Sequence, residues 1–123
     1  MAKRVLVVDD EPNIGMSLRF LMEREGFQVE VAATGQAAVA ALGRQPADLV
    51  LLDVMMPELD GFEVCQRIRA NPAWRATKIV MLTAKGRDVE RDKGMALGAD
   101  AYVTKPFSTR DLVAKVKQML GAG

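Results

Sequence analysis

An open α/β fold, a five-stranded parallel sheet doubly wound by helices as (βα)5, is the architecture this 123-residue sequence predicts. Three observations point to it. Short apolar runs alternate strictly with helical patterns along the whole chain. Several of those runs are apolar throughout, as in parallel strands covered on both faces. The polar residues that close the runs gather at their C-terminal ends, where open parallel sheets place their ligands.

The runs are Val5–Val8, Val29–Ala32, Leu49–Leu52, Ile79–Leu82 and Ala101–Val103. The first, third and fourth have no polar residue and read as central strands. The second alternates through Gln28, Val29, Glu30 and Val31, which suits an edge. Before it, Ile14, Leu18, Leu21 and Met22 share one helical face, with Pro12 in the first turn and Gly26 at the stop. An Ala-rich helix is expected over about 35–43. Asp60 with Glu63, and Ser108 with Asp111, have the three-residue spacing of capping pairs and open two more helices. The last should bury Leu112, Val113, Val116, Met119 and Leu120. The fourth helix, near 88–97, has few apolar positions and is expected to lie exposed and loosely held.

The length suits one domain over 1–123. Net charge is +1, from 17 basic and 16 acidic residues, which argues against direct nucleic-acid binding. Cys65 has no partner cysteine, and the lack of histidine excludes His-ligated zinc and His-based acid–base chemistry. No run approaches membrane-spanning length, and Val5–Val8 is too short for a signal-peptide core. A cytoplasmic protein is expected. The Gly121–Gly123 tail fits a frayed end or the stub of a linker.

Asp9 and Asp10 follow the first run, Asp53 the third and Thr83 the fourth; the fifth leads through Thr104 to Lys105. Parallel strands present their C-terminal ends on one side, so these residues can share a crevice. In the order 2-1-3-4-5 the first and third strands are neighbours and the three acids adjoin. Carboxylates so placed repel, and a divalent cation relieves them. Oxygen ligands with room for water suit Mg²⁺ better than a Ca²⁺ cage. A carboxylate nucleophile beside a metal, a lysine and a hydroxyl can accept a phosphoryl group. Taken singly, each residue has a plainer reading: Asp9 and Asp10 as helix caps, Asp53 as a solvated strand end, Thr83 as a turn hydroxyl, Lys105 as a surface lysine. Their joint placement on four strand ends argues for a site.

Val7-Val8-Asp9-Asp10-Glu11-Pro12, Leu51-Leu52-Asp53-Val54-Met55-Met56-Pro57, Asp60-Gly61, Leu82-Thr83-Ala84 and the stretch from Gly98 to Phe107 resemble, in order, the receiver domains of bacterial two-component response regulators. The resemblance spans essentially the whole chain and implies the CheY-like, flavodoxin-like fold. It implies that Asp53 takes a phosphoryl group from a histidine on a sensor histidine kinase or histidine phosphotransfer protein. Asp10, Asp53 and the Met55 carbonyl would ligate Mg²⁺ directly, with Asp9 acting through water. Lys105 would pair with the phosphoryl group, Thr83 would move to hydrogen-bond it, and Tyr102 would swing inward behind Thr83. A cis Lys105–Pro106 peptide is also implied. Met55 and Lys85 would flank the path of the attacking water. The domain would catalyse only its own phosphorylation and dephosphorylation, and its shift over 83–107 would control an effector protein or a fused output domain.

Tyr102 alone could be an amphipathic surface residue, and the mixed charges from Lys85 to Lys93 a solvated face. A weak dimer through the fourth helix, fifth strand and fifth helix is a further expectation. Ala101 stands where such dimers usually carry a second acid, leaving Arg110 and Asp111. Three alternatives are set beside the switch. An Asp-nucleophile phosphohydrolase would need an acid two residues past Asp53, where Met55 stands. A flavodoxin-like cofactor binder would need a phosphate loop where Asp9-Asp10-Glu11 would repel phosphate. A docking receiver would work without phosphate.

Overall fold

The computed structural model describes residues 2–84 and 86–121. Its elements are β1 (Arg4–Val8), α1 (Pro12–Arg24), β2 (Gln28–Ala32), α2 (Gly35–Arg44), β3 (Leu49–Asp53), α3 (Gly61–Ala70), β4 (Lys78–Ala84), α4 (Asp88–Ala96), β5 (Ala101–Lys105) and α5 (Thr109–Leu120). The strands are all parallel, in the order β2-β1-β3-β4-β5. The three runs with no polar residue are the three inner strands, and the alternating run is an edge.

Strand alternation divides the core in two. Val5, Val7, Leu49, Leu51, Val80 and Leu82 pack toward α1 and α5, against Leu18, Met22, Leu112 and Val116. Leu6, Val8, Val50, Leu52, Ile79 and Met81 face the other way, against Ala38 and Leu42 of α2 and Val64 and Ile68 of α3. Each inner strand therefore needs apolar residues on both sides.

Three strands run further than their apolar stretches. Asp53 pairs with Leu82, Thr83 with Thr104, and Ala84 with Lys105. Ladder hydrogen bonds use the backbone and do not depend on side-chain polarity, so the sheet continues through the polar residues. The consequence is functional: Asp53, Thr83 and Lys105 are held by the ladder, not by loops.

The helix ends follow their expected caps. Asp60 accepts from the Glu63 amide at 3.0 Å and Ser108 from the Asp111 amide at 3.3 Å. Pro12 opens α1, and Gly26 takes φ +92° just past its end. In α5 only Leu112 and Val116 are fully buried; Val113, Met119 and Leu120 are half-covered at the border of the sheet. A 3-10 turn at Pro72–Trp74 adds a feature outside the periodic pattern, with the Asn71 side chain accepting from Ala73 N and Trp74 buried.

Two close approaches shape the β3–α3 connection. A Cβ on Gly61 would meet the Asp53 carbonyl oxygen at 2.3 Å, and one on Gly35 would meet the Leu59 carbonyl oxygen at 2.3 Å. Glu58 between them holds φ +64°, a left-handed conformation that costs a residue with a Cβ on the order of 1 kcal/mol.

Only Glu90 and Gly94 of α4 are buried, and Val89 is 80% exposed. The end of the helix is nevertheless pinned. Arg69 of α3 donates to the carbonyls of Gly98 and Thr77, each at 2.8 Å, and to the Asp100 carboxylate at 2.7 Å. Asp100 in turn accepts from Ile79 N at 2.8 Å. Exposed and loosely held describes the first half of α4, not its C-terminal junction.

Candidate functional site

β1, β3 and β5 deliver the charged residues. Asp9 lies one residue past β1, its amide bonded to the Ala32 carbonyl at 3.1 Å, and its Oδ1 accepts from Glu11 N at 2.9 Å. It therefore shapes the entry to α1 without capping the helix: the N-cap is Glu11, whose side chain makes no cap bond. Asp53 ends β3, and Val54 N continues the ladder to the Leu82 carbonyl at 3.3 Å. Gly61 N bonds to the Val54 carbonyl at 3.1 Å, and the missing Cβ of Gly61 lets α3 sit directly on the Asp53 backbone.

Carboxylate oxygens of Asp9, Asp10 and Asp53 lie within 4.8 Å of one another. Asp9 and Asp53 are buried while Asp10 is exposed, so the cluster has a dry floor and a wet mouth. Lys105 reaches in from β5, with Nζ 3.0 Å from Asp9 Oδ2 and 3.3 Å from Asp53 Oδ1. The Lys105–Pro106 peptide is cis. Met55 N approaches Asp53 Oδ1 at 3.4 Å, and the Met55 side chain is 61% exposed.

Burial, followed by the neighbouring Asp9 charge, raises the Asp53 carboxyl from 3.8 to about 6, against the pull of Lys105. Burial of the Lys105 ammonium works to lower its pKa. Asp9 and Asp53 outweigh that effect and leave the group raised and charged. One ammonium among three carboxylates leaves an unbalanced negative charge. An oxygen-only set, half buried and open to water through Asp10, fits Mg²⁺.

Thr83 is buried on β4, beside β5, and Tyr102 lies on β5 in register with Met81. Among the described residues neither hydrogen-bonds to the acids or to Lys105. The three acids cluster and the lysine bridges Asp9 and Asp53, whereas the two expected switch residues make no hydrogen bond to them. Lys85 lies outside the described residues, as do Ala122 and Gly123 of the tail. Arg91 of α4 lies outside the sequence-derived site; its guanidinium carbon is 5.4 Å from the centre of the Tyr102 ring.

The family model described as the response regulator receiver domain matches residues 5–117. The phosphate regulon transcriptional regulatory protein PhoB of Rhizobium meliloti is 44% identical over 120 residues, which are 98% of this chain and 53% of that protein. The chain thus spans about half the length of this curated relative. The chemotaxis protein CheY4 of Vibrio cholerae superposes with a TM-score of 0.92 at 31% identity, over 98% of this chain and all of that one. A CheY-like response regulator receiver domain protein of Methanospirillum hungatei gives 0.91 at 32% identity, over 99% and 96%. With its acidic pocket, its strand order and its matches over nearly the full length, the chain belongs to the response regulator receiver family, the phosphorelay signalling domains of two-component systems.

Proposed function

We propose that Asp53 accepts a phosphoryl group from a phosphohistidine on a sensor histidine kinase or histidine phosphotransfer protein, in a Mg²⁺-dependent reaction. Receiver domains bind Mg²⁺ at an acidic pocket, and Asp9, Asp10 and Asp53 form such a cluster here. The observation that carries the proposal is the placement of Lys105 Nζ within 3.3 Å of Asp53 Oδ1. A fixed cation already stands beside the nucleophile, where a phosphoryl oxygen would arrive.

The Asp53 carboxylate forms the new O–P bond as the donor's N–P bond breaks and its imidazole leaves. Lys105 then exchanges its carboxylate partner for a phosphoryl oxygen. The Thr83 hydroxyl, on the neighbouring strand, donates to another, and Tyr102 follows it inward. Asp10, Asp53 and the Met55 carbonyl would hold Mg²⁺ directly, and Asp9 through water. When bound, the ion supplies positive charge against that of the incoming group. The shift over 83–107 passes the signal to an effector protein or a fused output domain.

An apolar cleft of about 420 Å³ lined by Ile14, Ala84, Lys105, Pro106 and Phe107 opens beside the site. Met16 and Phe20 lie exposed further along α1. These surfaces suit a protein donor better than a free phosphate ester. Among the described residues no helix is long and apolar enough to cross a membrane. We place the domain in the cytoplasm as a single unit over 1–123, without direct nucleic-acid contacts.

Incubation with acetyl phosphate and Mg²⁺, followed by intact mass measurement, tests the central step. One phosphoryl mass is expected, absent without Mg²⁺ and absent in Asp53→Ala. An unchanged wild-type mass would favour a docking receiver that needs no phosphate.

With Met55 two residues past the nucleophile, the catalysis is confined to the domain's own phosphoryl group. Met55 shields the acyl phosphate, and Met55→Asn is expected to speed its hydrolysis about tenfold, a barrier change of about 1.4 kcal/mol. An unchanged or slower decay of the phosphorylated mass would contradict the shielding. A weak dimer would use α4, β5 and α5, where Arg110 and Asp111 are exposed and Ala101 is buried. Sedimentation with and without a phosphoryl mimic checks it; a monomer in both states at tens of micromolar excludes the dimer.

A further inference from the structure

The inner face of α4 offers the core little. Its two buried residues are a glycine and a glutamate; among the described residues one Glu90 oxygen has no hydrogen-bond partner, while the other takes Arg87 at 3.1 Å. Its flanks are held differently. Lys93 Nζ lies 4.4 Å from the centre of the Phe62 ring on α3, and the Arg91 guanidinium 5.4 Å from that of Tyr102 on β5. At both places a cation of α4 meets an aromatic group of its neighbour, where a central helix would use apolar packing.

The two aromatic groups are not equivalent. Phe62 is half-buried against the core between the sheet and α3. Tyr102 is 37% exposed and borders a shallow cleft with Met95, Asp100, Ala101 and Lys115. Releasing Arg91 therefore removes a contact from the more exposed of the two rings. The guanidinium is itself oriented: its Nε lies 3.2 Å from Asp92 Oδ1 and its Nη1 3.8 Å from Asp88 Oδ1. These carboxylates hold the guanidinium in place beside the Tyr102 ring.

We propose that Arg91 is the latch of the switch: its guanidinium holds the Tyr102 ring outward and sets the resting population of the unphosphorylated domain. The regulatory meaning rests on the reading of Tyr102 as the residue that moves inward on phosphorylation. A partly exposed cation–ring contact shifts a two-state population by about two- to five-fold. That is enough to suppress the inward state at rest and weak enough for a phosphoryl group to overcome. Because the end of α4 is pinned through Arg69, release at Arg91 acts on the loop between β4 and α4 and leaves the α4–β5 junction in place.

Tyr102 is the only tyrosine, so the full chain labelled with 3-fluorotyrosine has a single ¹⁹F resonance. In the absence of phosphodonor, Arg91→Ala is expected to move that resonance toward the position the wild type takes with acetyl phosphate and Mg²⁺. Phosphoryl uptake should quicken about two- to five-fold. Lys93→Ala, which removes the other cation–ring contact, should leave the resonance near the wild-type value. An Arg91→Ala resonance and rate equal to wild type, or an equal movement in Lys93→Ala, would overturn the latch. A wild-type resonance indifferent to acetyl phosphate, with Arg91→Ala still displaced, would contradict the switch reading alone. The two failures are thereby told apart.

Discussion

Lys105→Met is expected to slow phosphoryl uptake from acetyl phosphate by about 10²–10³-fold, the usual cost of removing one preorganised electrostatic partner of a transition state. Methionine keeps most of the length and apolar stem of the lysine but removes the ammonium that bridges Asp9 and Asp53. Asp9 keeps only the Glu11 amide among its described side-chain partners, and Asp53 loses its compensating charge. Mg²⁺ affinity should rise, because a competing cation has left the cluster. Tighter metal binding with slower transfer is a pairing that misfolding cannot imitate. Calorimetric titration with Mg²⁺, beside a mass time course, measures both. Loss of the two together would make Lys105 a structural tie.

Acidity should govern metal binding and stability through Asp53. Its carboxyl lies at about 6 in the folded chain because of burial first and the Asp9 charge second. Mg²⁺ needs the ionised form, so apparent affinity should fall by about tenfold per pH unit below about 6. The folded state binds this proton more tightly than the unfolded state, whose value is the ordinary 3.8. The group's contribution to stability is therefore fully present below about pH 4 and is lost as pH rises through about 6. At neutral pH without metal, the ionised carboxylate costs on the order of 3 kcal/mol. Asp53→Asn removes that cost. Denaturant unfolding should find the variant more stable by about 2–3 kcal/mol at pH 7.5, with the gain gone below about pH 4. A gain that did not vary with pH would assign the effect to packing.

The site was largely legible because its parts are strand ends. Apolar runs locate the strands, parallel strands align their ends, and the polar residues of β1, β3, β4 and β5 then converge whatever the details of the helices. The ladder runs on through Asp53, Thr83 and Lys105, the strand ends that the sequence marks, because hydrogen bonding does not stop where hydropathy does. Contacts between side chains of different elements left no periodic trace. Arg69 ties Thr77, Gly98 and Asp100 across two turns, and Arg91 meets a ring on the strand that follows its helix. Mixed charge around residue 90 reads as a solvated face, yet Glu90 is buried. Gly35 and Gly61 look like ordinary helix starts until the neighbouring carbonyls are seen. Trp74 precedes β4, at the end of the sheet away from the acids, so its fluorescence is a poor reporter of metal or phosphoryl binding.

The central claim is that one carboxylate among three is the acceptor, and reductive trapping resolves which. Borohydride converts an aspartyl phosphate to homoserine, which peptide mass mapping locates by residue. After incubation with acetyl phosphate and Mg²⁺, homoserine is expected at position 53 and not at Asp9 or Asp10. Homoserine at either of those positions, or at none in a protein shown to be folded and to bind Mg²⁺, would contradict Asp53 as the phosphoacceptor.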